Sequence, residues 1–179
     1  SQEDNGSCFS FRVILQKNIQ KNNLTTDSST LETPNPTDAN TCIDETEAWP
    51  ENTRLLLVED NPINQMVAED LLESMGLKIS IAHNGLDALE QLRDANEEQP
   101  FTIILMDCLM PEMDGYEATQ NIRAAQAGER YINIPIIAMT ANAMVGDKEK
   151  CLKTGMSDYL SKPVDSDRLY EKLQYWLKK

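Results

Sequence analysis

Five positions in this 179-residue chain carry side chains suited to phosphate and metal chemistry, and each stands where an apolar run ends. Glu59 and Asp60 follow LLLV, Asp107 follows FTIILM, Thr140 follows IPIIAM, and Lys162 follows SDYLS. Three carboxylates in one place repel each other, and a small hard cation offsets the repulsion; Mg2+ typically takes one or two carboxylates and keeps several waters. Its free positions accept phosphate oxygens, while an ammonium and a hydroxyl neutralise the same group from the other side. A carboxylate can also be the nucleophile, forming an aspartyl phosphate. Asp107 is the candidate for that role and Mg2+ the candidate ion. Taken singly, each residue has a plainer reading. Asp107 can cap the turn that follows it, an acidic pair can sit on a solvated strand end, a threonine can fill a strand position, and a lysine before proline can lie on the surface.

The coincidence carries the weight, and it requires elements that bring the five together. From residue 53 onward apolar strands alternate with amphipathic helices, which predicts a parallel sheet with right-handed crossovers. Leu55–Val58, LKISIA at 77–82, the run into Asp107, IPIIAM at 134–139 and SDYLS at 157–161 are the five strands, the second nearer the sheet edge. The run into Asp107 is apolar throughout, as a central strand covered on both faces must be. Parallel strands place all carboxyl ends on one rim, where open α/β sheets bind ligands. Asn61 caps the first helix, Pro62 suits its first position and Gly76 closes it. Ile63, Met66, Val67, Leu71 and Met75 recur along it at helical spacing. Further helices are predicted over about 86–94, 116–125, 142–154 and from Asp165, the last burying Leu169, Leu173, Trp176 and Leu177. Five strands alternating with five helices give an α/β fold of flavodoxin-like (βα)5, doubly wound form.

Sixteen basic against thirty acidic residues leave a net charge of -14, which repels nucleic-acid backbones. No apolar run approaches the length of a membrane span. Cys8, Cys42, Cys108 and Cys151 have neither metal-ligand spacing nor the density of a disulfide scaffold, and read as free thiols of a reducing cytosol.

Residues 21–51 are rich in Thr, Asn, Asp, Ser and Pro without periodicity and read as an acidic polar linker. Trp49 is the residue there expected to pack on something. Before it, GSCFSFRVILQ at 6–16 alternates as a half-buried strand does. It resembles the last strand of the ATP-binding domain of histidine kinases, which would make residues 1–20 a remnant of such a domain.

LLLVEDNPINQ, ILMDCLMPEMDGYEAT, PIIAMTANAM and GMSDYLSKPV, in that order, resemble the receiver domain of the two-component response-regulator family over residues 52–179. The resemblance implies strand order 2-1-3-4-5 and a phosphoryl group passing from phosphohistidine to Asp107. It also implies Mg2+ held directly by Asp60 and Asp107, by Glu59 through water and by the Leu109 backbone carbonyl, with Thr140 and Lys162 on the phosphoryl oxygens. Tyr159 matches the aromatic that rotates inward with Thr140 on switching. Leu109 and Asn142 flank the site where the family tunes water attack.

The wording NPINQ, MDGYEAT, TANAM and KPV, with the kinase-like strand in front, is similar to a hybrid histidine kinase. The donor is then a histidine-bearing kinase dimerisation domain and the acceptor a histidine phosphotransfer domain. The fragment itself would catalyse only transfer to Asp107 and its own dephosphorylation, in the cytoplasm, on a parent anchored in the inner cell membrane. His83 reads as plain loop, so both histidines come from elsewhere. The first helix carries more apolar residues than one core stripe needs. Either its buried face is wide, or Ile63 and Met66 join the Pro163 loop in docking on a helical bundle. Three other readings compete. A Mg2+-dependent phosphatase of the haloacid-dehalogenase kind wants a second aspartate where Leu109 stands. A flavin site wants phosphate donors where EDNPIN offers carboxylates. An interaction module that is never phosphorylated needs no complete set of acids, threonine and lysine.

Overall fold

The computed structural model describes residues 48–141 and 145–179, with Val145 and Gly146 described by backbone alone. The strand expected at 6–16, the remnant 1–20, most of the linker and Asn142 lie outside the described residues. Five parallel strands stand in the order β2-β1-β3-β4-β5: β1 Arg54–Val58, β2 Lys78–Ala82, β3 Ile103–Asp107, β4 Ile136–Thr140 and β5 Asp158–Ser161. The helices between and after them are α1 Pro62–Ser74, α2 Gly85–Asp94, α3 Gly115–Arg123, α4 Val145–Thr154 and α5 Ser166–Leu177. The flavodoxin-like order expected from the resemblance is the order found, with β2 at an edge.

Each strand alternates its side chains between the two sheet faces. Leu55, Leu57, Ile103, Leu105, Ile137 and Met139 pack with Ala68 and Leu72 of α1 and Leu169 and Leu173 of α5. Leu56, Val58, Ile104, Met106, Ile136 and Ala138 pack with α2, α3 and α4 on the other side. All five residues of β3 are buried, so the strand is apolar up to its terminal carboxylate.

Of the two readings of helix α1, the wide buried face is not the one found. The helix buries Gln65, Ala68 and Leu72, while Ile63, Met66 and Val67 are 72%, 64% and 54% exposed. The apolar spacing read along this helix therefore follows its outer face in the first two turns, and of the five residues in that pattern Leu71 and Met75 alone lean on the core, beside the fully buried Leu72. In α5, Leu169 and Leu173 are fully buried, but Trp176 and Leu177 are only partly covered, a second correction. Trp49 packs as expected: its indole N–H donates to the Met75 carbonyl at 2.6 Å and its ring meets Tyr170 edge to face.

The segment AQAGERYIN holds a short 3-10 helix, Glu129–Tyr131. It is fastened from α3 by Arg123, whose guanidinium donates to the carbonyls of Ile132 at 2.8 Å and Gly155 at 2.9 Å. Hydrogen bonds from a charged donor contribute more than neutral ones, and truncating the donor leaves these carbonyls short of partners. An Arg123→Met protein, which keeps the apolar stem, is expected to lose about 2 kcal/mol in urea unfolding. Lysine should not restore it, because a single ammonium cannot reach along both directions of the fork.

Candidate functional site

The sequence after β1 fixes where the first two acids stand. The Asn61 side chain accepts the Ile63 N–H at 2.9 Å, capping α1, and Pro62 takes the first helical position without loss of a backbone bond. The chain therefore turns at once into α1, leaving Glu59 buried and Asp60 exposed at the rim. Glu59 is also tied to the neighbouring strand, its N–H donating to the Ala82 carbonyl at 3.0 Å.

Asp107 ends β3 beside β4, in register with Met139, and Thr140 ends β4 in register with Ser161. Lys162 follows β5, and its backbone N–H donates to the Thr140 carbonyl at 2.8 Å. Its ammonium reaches back across the rim and binds Glu59 at 2.6 Å and Asp107 at 2.7 Å. The other Asp107 oxygen faces the Leu109 N–H at 3.4 Å. Asp107, Thr140, Lys162 and Leu109 line one cleft of about 380 Å3. A larger groove of about 570 Å3 lies under Trp49, at the amino ends of β1 and β2 and away from the acids.

The cleft is electrically divided. Burial is the strongest influence on Asp107 and holds its carboxyl above the ordinary value, against the pull of Lys162. On Lys162 burial acts downward, but its bonds to the two carboxylates outweigh that and hold the ammonium above its ordinary value, so it stays charged. Oxygen atoms of Glu59, Asp60 and Asp107 lie within 4.8 Å of one another. An all-oxygen, all-acid set of this kind fits a small hard dication and offers nothing to a thiophilic metal. Cys108 next door supplies no ligand or nucleophile: burial pushes its thiol up to about 12, and it faces the equally buried Cys151 thiol at 3.8 Å.

Most of the residues read from the sequence thus meet in one place. Leu109 stands at the rim, its side chain 70% exposed. Pro163 lines an adjoining hollow with Glu59, Val67 and Lys162. Tyr159 does not line the cleft; it is half-buried on β5 between the ammonium groups of Lys148 and Lys172. Ile63 and Met66 lie outside the cleft on the exposed face of α1. His83 is exposed in the loop after β2, but it is not idle, since its Nδ1 lies 2.9 Å from the Gln65 amide. Asn64 and Gln65, which reach Glu59 from α1, and Lys150, whose ammonium lies over the Tyr116 ring at the cleft wall, were not legible as site residues. For the two amides a signal existed: both follow the acid pair within the first turn of a helix that begins on the rim.

Residues 55–174 match the response regulator receiver domain family. The chain is 39% identical over 123 residues to the sensor protein GacS of Pseudomonas syringae pv. syringae, covering 69% of this chain and 13% of that protein. The matched region is therefore a small part of such relatives. Among solved structures, the receiver domain of sensor histidine kinase PA1611 from Pseudomonas aeruginosa PAO1 is 43% identical with a TM-score of 0.63, covering 71% of this chain and 98% of that one. That structure has a magnesium ion coordinated in its active site cleft. The receiver domain of Saccharomyces cerevisiae Ssk1, crystallised with the histidine phosphotransfer protein Ypd1, is 30% identical with a TM-score of 0.64, covering 74% of this chain and 92% of that one. With the family match, the strand order and the cleft in agreement, this chain belongs to the response regulator receiver domain family.

Proposed function

We propose that this receiver takes a phosphoryl group from a phosphohistidine onto Asp107 and passes it to a histidine phosphotransfer partner, within a hybrid sensor histidine kinase. The observation that carries the reading is the Lys162 ammonium held between Glu59 and Asp107 at 2.6 and 2.7 Å, in a cleft whose third acid is free to face solvent. The PA1611 and Ssk1 likenesses support the ion and the type of partner.

Asp60 and Asp107, the Leu109 carbonyl and, through water, Glu59 are the groups that would hold Mg2+. When bound, the ion neutralises charge on the transferring phosphoryl group. An Asp107 oxygen attacks phosphorus as the P–N bond of the donor breaks, the electron pair of that bond staying on the imidazole. Lys162 turns from Asp107 to a phosphoryl oxygen, and the Thr140 hydroxyl donates to another. Tyr159, paired in register with Ala138, is the aromatic that responds when Thr140 is drawn in. The parent would be anchored in a cell membrane, with this domain in the cytoplasm, where reduced thiols such as Cys108 and Cys151 are expected. No helix among the described residues is long and apolar enough to cross a membrane.

The test is to incubate the protein with Mg2+ and acetyl phosphate and weigh it. A gain of one phosphoryl group, absent when the metal is chelated, supports the reading. No gain with the metal present overturns it and leaves an interaction module. Docking is tested separately. Ile63 and Met66 form an exposed apolar patch beside the rim, where an interface centre would desolvate them. Ile63→Asp is expected to slow transfer from a phosphorylated histidine phosphotransfer protein about tenfold or more, the effect of losing about 1.4 kcal/mol. Phosphorylation by acetyl phosphate and the melting temperature should be unchanged.

A further inference from the structure

Lys162 takes one oxygen of the Glu59 carboxylate, and the other oxygen and the backbone carbonyl face neutral donors from the NPINQ segment that caps and opens helix α1. Glu59 Oε1 accepts the Asn64 amide at 2.8 Å and faces the Asn61 N–H at 3.4 Å. Its backbone carbonyl accepts the Gln65 amide. Gln65 is buried, its second amide hydrogen is directed at His83 Nδ1, and its own backbone N–H donates to the Asn61 carbonyl at 2.9 Å. The loop Glu59–Asn61 is therefore fixed from α1 at both its side-chain and its main-chain end.

The residue type matters. Lys162 already places one ammonium on Glu59; a lysine at position 64 would also orient the acid, but it would add a second positive charge and cancel what remains to draw a dication. A carboxylate there would repel Glu59. An amide donates a hydrogen bond without adding charge, and so orients an acid while leaving its attraction for a cation intact. An acid already held in one orientation also loses less freedom when an ion binds.

We propose that Asn64 and Gln65 are positioning residues of the metal site: Asn64 sets the Glu59 carboxylate and Gln65 sets the backbone that carries both Glu59 and Asp60. Both act through Glu59 and its backbone, and neither is assigned as a ligand of the ion. This rests on the proposed function, because it assigns the two amides to the same Mg2+ site.

Groups that orient metal ligands without binding the metal change metal affinity by about 10- to 100-fold when removed. Asn64 is exposed, so Asn64→Ala should leave the melting temperature where it is. Titration of the unphosphorylated protein with MgCl2, followed by amide NMR shifts of the loop after Asp107, is expected to give a Kd about tenfold weaker for Asn64→Ala than for wild type. Gln65→Met, similar in size but unable to donate, should move the Kd in the same direction; if it does not fold, Asn64→Ala decides alone. An Asn64→Ala Kd equal to that of wild type overturns the proposal and leaves the proposed function standing. A wild-type protein that binds no Mg2+ overturns both.

Discussion

An Asp107→Asn protein is expected to gain no phosphoryl group from acetyl phosphate under conditions that fully modify the wild type, and to be more stable than the wild type in the metal-free state. The first outcome follows from chemistry, since an amide oxygen is not a nucleophile toward phosphorus and none of the other acids ends β3. The second follows from burial. Desolvation holds the Asp107 carboxyl above its ordinary value even with Lys162 2.7 Å away. The folded protein thus binds this proton more tightly than the unfolded chain does, so the ionised group costs stability at neutral pH. The cost falls as pH drops through the raised value and is gone below the unfolded value of about 3.9. The advantage of the asparagine variant should therefore be present at pH 7 and vanish near pH 4 in urea melts at the two pH values. An advantage that persists at acid pH would mean that it comes from something other than the charge.

Gly115→Ala is expected to cost about 3 kcal/mol or more, at the upper end of overpacking effects, and to impair phosphorylation in the protein that still folds. Gly115 opens α3 directly under the end of β3. A Cβ there would press into the backbone carbonyl of Asp107 and lie 2.9 Å from the Met106 side chain. The obstacle is main chain, so no rotamer change relieves it. The Gly115 N–H also donates to the Cys108 carbonyl at 3.2 Å, closing the loop that carries Leu109. Relief must come from moving the segment that positions the nucleophile. Thermal melts should show a drop of about 10 °C. The acetyl phosphate assay should show a slower gain of mass at temperatures where the variant is folded.

The strands and the site were legible for one reason. An apolar run that stops at a charged or hydroxyl residue encodes both a buried strand and its exit point, so Glu59, Asp60, Asp107, Thr140 and Lys162 marked the rim without any knowledge of the helices. The Asn61 cap was readable for a similarly local reason, and its side chain accepts a backbone N–H at the start of α1, as those of Asp114 and Asp165 do at α3 and α5.

What stayed hidden depends on partners distant in sequence. Helix α1 buries an amide, Gln65, and exposes isoleucine and methionine, because the amide finds the Glu59 carbonyl and the His83 ring while the apolar side chains face outward. Spacing reports a stripe but not which side of it is wet. The 3-10 helix at Glu129–Tyr131 lacks any apolar period; it exists because Tyr131 is buried and Arg123 binds the carbonyls around it. The kinship of Lys150 with the cleft depends likewise on α4 lying against α3, which no local pattern encodes.

The alternation of side chains along the strands has a further meaning for how such a domain diversifies. The sheet is a partition: one apolar compartment backs α1 and α5, the other backs α2, α3 and α4, and the two share no side chain. Helices α1 and α4 rest on opposite faces of the sheet, each over its own set of buried side chains. Substitutions in separate compartments add nearly independently in free energy. With Ile63 and Met66 as the proposed docking patch, substitutions on the α1 face can change partner choice while leaving the α4 side untouched, so that changing correspondents does not require relearning the chemistry.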